Sequence, residues 1–180
     1  MSNRLTQQLD IDYPIIQAPM AGVSTPELAA AVSGAGALGS LGLGSATIEQ
    51  AETLINRTRR LTTRPFNVNL FCHAPAVRDP QREARWLARL RPEFARFGSL
   101  PPETLAEIYL SFQQQPRMAE LLLDLTPAAV SFHFGVPDRE TLRQLREKGI
   151  VTLASATSVA EALLAVEQGI DMVVAQGYEA

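Results

Sequence analysis

Residues 128–134 read "AAVSFHF". Val130, Phe132 and Phe134 alternate with Ser131 and His133, the period-two pattern of a β-strand. One face is apolar. The other carries a hydroxyl and one of the chain's two histidines. A central strand of an open, doubly wound sheet is covered by helices on both sides and reads as apolar on both faces. A strand of a closed barrel turns one face inward, and such barrels hold their chemistry at the C-terminal strand ends. Two other segments share this polar-on-one-face character. "FNVNLF" (66–71) sets Asn67 and Asn69 against Phe66, Val68 and Leu70, and "MVVAQG" (172–177) ends on Gln176 and Gly177. The pattern favours a barrel over an open sheet.

The surrounding chain alternates. "PIIQAPM" (14–20), "ALGSLGLG" (37–44), "FNVNLF", "AAVSFHF", "VTLASA" (151–156) and "MVVAQG" read as six strands. Helices are expected between them over 24–36, 47–62, 138–149 and 158–169. Ser24 with Glu27 and Ser158 with Glu161 have the spacing of capping boxes, and Pro26 suits a first helical turn. Short strand–helix units imply a parallel sheet, because parallel strands need crossovers. The fold class expected is α/β, the N-terminal portion of a TIM (β/α)8 barrel. About six of eight βα units are present in a single incomplete domain over 1–180, the start of a longer barrel. Residues 80–124 break the rhythm. Trp86, Leu87, Leu90, Phe94 and Phe97, then Leu105, Ile108, Tyr109 and Phe112, then "RMAELLLDL" (117–125) recur at helical spacing between prolines. They are expected to form a helical excursion between the third and fourth strands.

Composition bounds the partners. Hydrophobic residues make up 46% and charged residues 19%, and the net charge of −3 offers no basic surface for nucleic acid or an anionic membrane. The single Cys72 excludes an internal disulfide or a cysteine metal cluster. The N-terminus lacks the apolar core of a signal peptide, and no apolar run reaches the ~20 residues of a membrane helix. A cytoplasmic chain is expected, with a small-molecule partner and a homodimer left open.

Several motifs need weighing. "GAGALG" (34–39) matches G-x-G-x-x-G. Dinucleotide binding, however, requires a strand before the glycines and a helix after them. Here the order is reversed, so a helix end leading into a close-packed strand is expected. "IIQAPM" (15–20) ends on Pro19 and Met20, where a fixed backbone can lie along an aromatic cofactor or simply pack. Asn67 and Asn69 are poor strand residues and demand hydrogen-bond partners, from a flavin or base edge or from within the protein. His73, in the loop after the third strand, is read as incidental. His133 lies at the C-terminal end of its strand, where a near-neutral imidazole can take a proton from a weak carbon acid. A satisfied core histidine fits the same position. Gln176 and Gly177 suit contact with a ligand's polar chain or a tight turn. The two histidines lie on different segments without clustered carboxylates, so no metal is expected.

The joint order of "IIQAPMAGVSTPELAAAVSGAGALGS", "FNVNLFCH", "AAVSFHFGVP" and "VVAQGYEA" resembles the nitronate monooxygenase family, formerly 2-nitropropane dioxygenases. The "VSFHFG" strand is similar to that of the class I enzymes. The resemblance implies an FMN-dependent TIM barrel that oxidises alkyl nitronates with O2 to carbonyl compounds and nitrite. It makes His133 the base that deprotonates a nitroalkane. It sets Ala18, Pro19 and Met20 along the flavin, Asn69 at the isoalloxazine edge, and Gln176 with Gly177 near the ribityl chain. The family's phosphate-binding loops follow beyond residue 180. Two alternatives stay open: a related FMN barrel acting as an NAD(P)H:quinone reductase or enoyl-acyl-carrier reductase, and an inactive fragment.

Overall fold

The computed structural model describes residues 3–178. Its central feature is a five-stranded, all-parallel sheet in which each strand pairs with the next in sequence. The strands are β1 (Gly39–Gly42), β2 (Phe66–Phe71), β3 (Ala129–His133), β4 (Val151–Ala156) and β5 (Met172–Ala175). The helices are α1 (Arg4–Leu9), α2 (Pro26–Gly34), α3 (Ile48–Leu61), α4 (Pro80–Arg96), α5 (Pro116–Leu125), α6 (Arg139–Glu147) and α7 (Val159–Gln168). This unbroken parallel order is the run of βα units that opens a TIM barrel. Among the described residues no helix is long and apolar enough to cross a membrane.

The first of the six expected strands does not form a ladder. Residues 14–20 touch β1's leading edge through one parallel bridge, Ile16 to Leu38. Pro14 and Pro19 bring no N–H to the pairing. One residue beyond the bridge, the Gln17 side chain replaces the missing main chain. Ser40 N–H donates to Gln17 Oε1 at 3.2 Å, and Gln17 Nε2 donates to the Ser40 carbonyl at 3.2 Å. A carboxamide has the donor and acceptor of a peptide group, so it can pair with a strand edge where the backbone cannot.

The helices follow their sequence signals with two shifts. Thr47 caps α3 in a full capping box with Gln50, and Ala51, Ile55 and Thr58 are its buried residues. For α2 the cap is Thr25, not Ser24: Thr25 Oγ1 accepts from Leu28 N–H. Ser24 Oγ instead accepts from Met20 N–H at 2.8 Å and from Gln17 Nε2 at 2.9 Å, tying the 17–24 turn together. Ser158 caps α7, but Glu161 reaches the Thr157 N–H and hydroxyl rather than closing the expected box. The glycines of "GAGALG" end α2 and admit its backbone. A Cβ at Gly39 would lie 2.0 Å from the Ala29 carbonyl oxygen.

Residues 75–108 form a compact unit of their own. It contains α4, capped by Asp79, with the Arg78–Glu83 ion pair at its start. The expected helical run through Leu105, Ile108 and Tyr109 is absent. Pro101 and Pro102 precede it, and regular structure resumes only with a 3-10 turn over Phe112–Gln114. The excursion is therefore two helices and an irregular connection.

In the larger unit, helices cover one sheet face. Leu41, Val68, Leu70, Val130, Phe132 and Ala154 pack there against Ile55, Met118, Leu122, Leu142 and Leu145. Full burial of side chains of this size is worth roughly 1.5–3 kcal/mol each. On the other face, a smaller apolar cluster of Leu9, Ile11, Leu38, Ala129 and Leu153 closes the N-terminal ends of the strands. The space above that plug holds the polar residues.

Candidate functional site

A cleft of about 610 Å³ opens on the uncovered sheet face toward the C-terminal strand ends. Register builds its wall. Parallel pairing sets Asn69 beside Ser131, Phe71 beside His133 and Ser131 beside Leu153. Side chains two residues apart on each strand share a face. Asn67 and Asn69 from β2, Ser131 and His133 from β3, Leu153 and Ser155 from β4, and Val174 with Gln176 from β5 and its exit therefore converge on one space. Ala18, Pro19 and Gly177 line it as well. Met20 does not: it is 42% exposed and outside the lining. His73 is also outside the lining.

The cleft floor is a hydrogen-bonded set of short polar side chains. Ser131 Oγ accepts from Asn67 Nδ2 and from Asn69 Nδ2, each at 2.9 Å. Two acceptances use both lone pairs of a hydroxyl, so Ser131 has only its O–H left to offer. Asn69 Nδ2 also approaches the Ser131 carbonyl at 3.2 Å. With its amide turned to Ser131, Asn69 has its carbonyl oxygen to present to a donor. Asn67 Oδ1 is buried without a protein partner. A buried acceptor in that condition calls for a ligand N–H or a water.

His133 is half-buried above this floor. Its Nδ1 and Ser155 Oγ are hydrogen-bonded at 2.5 Å, and which of them donates depends on the imidazole tautomer. The Cys72 N–H donates to the His133 carbonyl at 2.8 Å, which fixes the strand end. Desolvation by burial holds the imidazole below its ordinary value, so its neutral, proton-accepting form prevails near neutral pH. Among the described residues no Asp, Glu, Lys or Arg lines the cleft, and His133 is the only imidazole in the lining. Cys72 lies behind the sheet in the helix-covered core, its thiol pushed up to about 11 by burial, and is not a nucleophile.

Aromatic rings flank the imidazole. Phe71 stands 6.5 Å from His133 centroid to centroid, and Phe134 stands 3.9 Å from it. A Cβ at Gly44 would meet the Phe71 ring at 2.7 Å, so that glycine makes room for the wall. Phe134 has φ +70° and is 62% exposed. A bulky residue in the left-handed region carries backbone strain, and such strain concentrates at functional sites. Gly135 follows with φ +152°, and a Cβ there would lie 2.5 Å from the Cys72 carbonyl.

Gln17, Ser155 and the Phe71–Phe134 pair escaped the sequence reading. Ser155 had a signal: it is the last inward residue of a strand whose other inward positions, Val151 and Leu153, are apolar. Gln17 had none, because its work depends on a ladder that does not form.

Fold and cleft define the class: a parallel β/α-barrel chain with a cleft at the C-terminal ends of its strands, where enzymes of this architecture hold their active sites. The chain belongs to the nitronate monooxygenase family, whose family model matches residues 2–180. It is 54% identical to a nitronate monooxygenase of Pseudomonas aeruginosa over 180 residues, covering all of this chain and 51% of the relative. It is 52% identical to a nitronate monooxygenase of Paraburkholderia phytofirmans, covering 96% and 47%. Among solved structures, the nitroalkane oxidase of Streptomyces ansochromogenes superposes with a TM-score of 0.83 at 40% identity, over 97% of this chain and 49% of that one. FabK of Thermotoga maritima gives 0.74 at 26% identity, over 100% and 45%. The chain spans about half the length of the curated relatives it matches.

Proposed function

We propose that this chain supplies the proton-abstracting and ring-binding half of an FMN-dependent nitronate monooxygenase. The reaction would oxidise alkyl nitronates with O2 to carbonyl compounds and nitrite, and would admit nitroalkanes after proton removal by His133. The observation that carries this reading is the isolation of His133, one neutral imidazole in a cleft with no charged side chain in its lining. A nitroalkane α-carbon is acidic enough for a single imidazole to serve as its base.

The donor set fits a flavin ring. Asn69 Oδ1 and the Ser131 hydroxyl offer an acceptor beside a donor, which suits an edge of alternating N–H and C=O groups. Ala18 and Pro19 would lie along the ring, and Gln176 with Gly177 near the polyol chain. Met20, which the resemblance also sets along the flavin, lies outside the cleft lining. Among the described residues the cleft lining has no cation for a phosphate. When bound, FMN supplies the electron acceptor. The residues here bind, orient and move one proton. The aromatic pair Phe71 and Phe134 shields the imidazole and offers an apolar wall to an alkyl substituent.

Anaerobic mixing of the flavin-loaded protein tests the reading: an alkyl nitronate is expected to bleach the flavin absorbance. NADH bleaching it while a nitronate does not would favour a reductase of the quinone or enoyl type. A second expectation concerns pH. The rate of kcat/KM on a neutral nitroalkane should fall as pH drops through the His133 midpoint, because protonation removes the base. Burial lowers that midpoint, so activity should persist to a lower pH than an unperturbed imidazole allows. Nitronate turnover should lack this limb.

A further inference from the structure

We infer that Ser155 is a positioning residue that accepts a hydrogen bond from His133 Nδ1–H and so keeps the Nε2 lone pair available as the base. The inference rests on the proton-abstraction role proposed for His133. Nδ1 is the ring nitrogen committed to Ser155 Oγ. A neutral imidazole carries its proton on one nitrogen only. Were Ser155 the donor, Nδ1 would be occupied and Nε2 protonated, and neither could take a proton from carbon. With Ser155 as acceptor, the Cα–H bond of the nitroalkane breaks, its electron pair stays on the nitronate, and the new bond is Nε2–H. The imidazolium so formed keeps its Nδ1–H bond to Ser155, which strengthens as the ring becomes charged.

The site makes this hydroxyl the natural choice. Phe71 from β2 and Phe134 from its own strand's exit stand beside the imidazole and Ser155 from β4 bonds it, and none of the three is charged. Histidines used in catalysis are commonly oriented by a carboxylate or carbonyl on the second nitrogen. Among the described residues no carboxylate lines this cleft. A serine orients the ring while leaving it uncharged before reaction.

The test uses Ser155→Ala and Ser155→Thr beside His133→Ala. The alanine variant is expected to lose about tenfold in kcat/KM on a neutral nitroalkane, the worth of one hydrogen bond, and little on the preformed nitronate. Its pH midpoint should move down, because a bond that favours the charged ring is gone. Threonine, which retains the hydroxyl, should restore both. A midpoint that moves up would mean that Ser155 donates to Nδ1, and would overturn the inference, as would equal loss on both substrates. Imidazole 15N NMR gives a readout independent of turnover. With two histidines in the chain, His133→Ala assigns the signals. His133 should show a protonated Nδ1 that Ser155→Ala returns toward the ordinary Nε2–H form. That result would stand if His133 proved not to be the base, whereas an Nε2–H signal in the unmodified protein would end the inference alone.

Discussion

Replacing His133 with alanine is expected to slow turnover of a neutral nitroalkane by about two to four orders of magnitude, the usual worth of a positioned general base. Most of the rate on a preformed nitronate should survive, because that substrate arrives already deprotonated. The separation is expected to be clean because among the described residues no other titratable side chain lines the cleft to substitute for the imidazole. Stability should change little: the ring is half-buried, and its removal leaves the Ser155 hydroxyl near solvent rather than orphaned in a core. Steady-state rates on both forms of one substrate, with a urea unfolding curve for each variant, decide the matter. A matching drop on both forms would assign His133 to binding or flavin contact instead.

The neighbouring residue gives the opposite outcome. Phe132 is 1% exposed, faces the helix layer and packs against Phe112 with ring centroids 5.3 Å apart. Phe132→Ala should cost about 3–5 kcal/mol of folding free energy through lost transfer energy and the cavity left behind. That is a large part of the stability of a domain this size. Denaturant unfolding should show a lower midpoint at unchanged slope. A cost under about 1 kcal/mol would mean that the layer collapses into the gap, since cavity costs depend on relaxation. Two successive residues on one strand thus divide rate from stability, as period-two alternation requires.

The alternation of "AAVSFHF" and "FNVNLF" carried the reading because it is local. Each strand states which of its residues share a face, and register does the rest. The convergence of Asn69, Ser131 and His133 was legible for that reason. What stayed hidden depends on partners distant in sequence. Gln17 looks like one more residue of an apolar run until Ser40, 23 positions away, meets its carboxamide. Ser155 gains meaning only from His133, 22 positions earlier. The α2 cap shifted by one residue because Ser24 found better-placed partners in the turn before it. Leu105, Ile108 and Tyr109 have helical spacing, but with two prolines ahead of them no helix forms, and spacing alone does not reveal that.

The uncharged cleft lining has an electrostatic consequence. The side chains that line the cleft among the described residues carry no formal charge while His133 is neutral. In the proposed reaction, moving a proton from carbon to imidazole would create a cation and an anion together, beside described side chains that carry no charge of their own. Opposite charges 4 Å apart attract by about 1 kcal/mol in water and about 4 kcal/mol at an effective dielectric of 20. The nitronate formed in that reaction would be held to the imidazolium that made it, and a carboxylate or lysine introduced into that wall would loosen the tether by offering one partner an alternative.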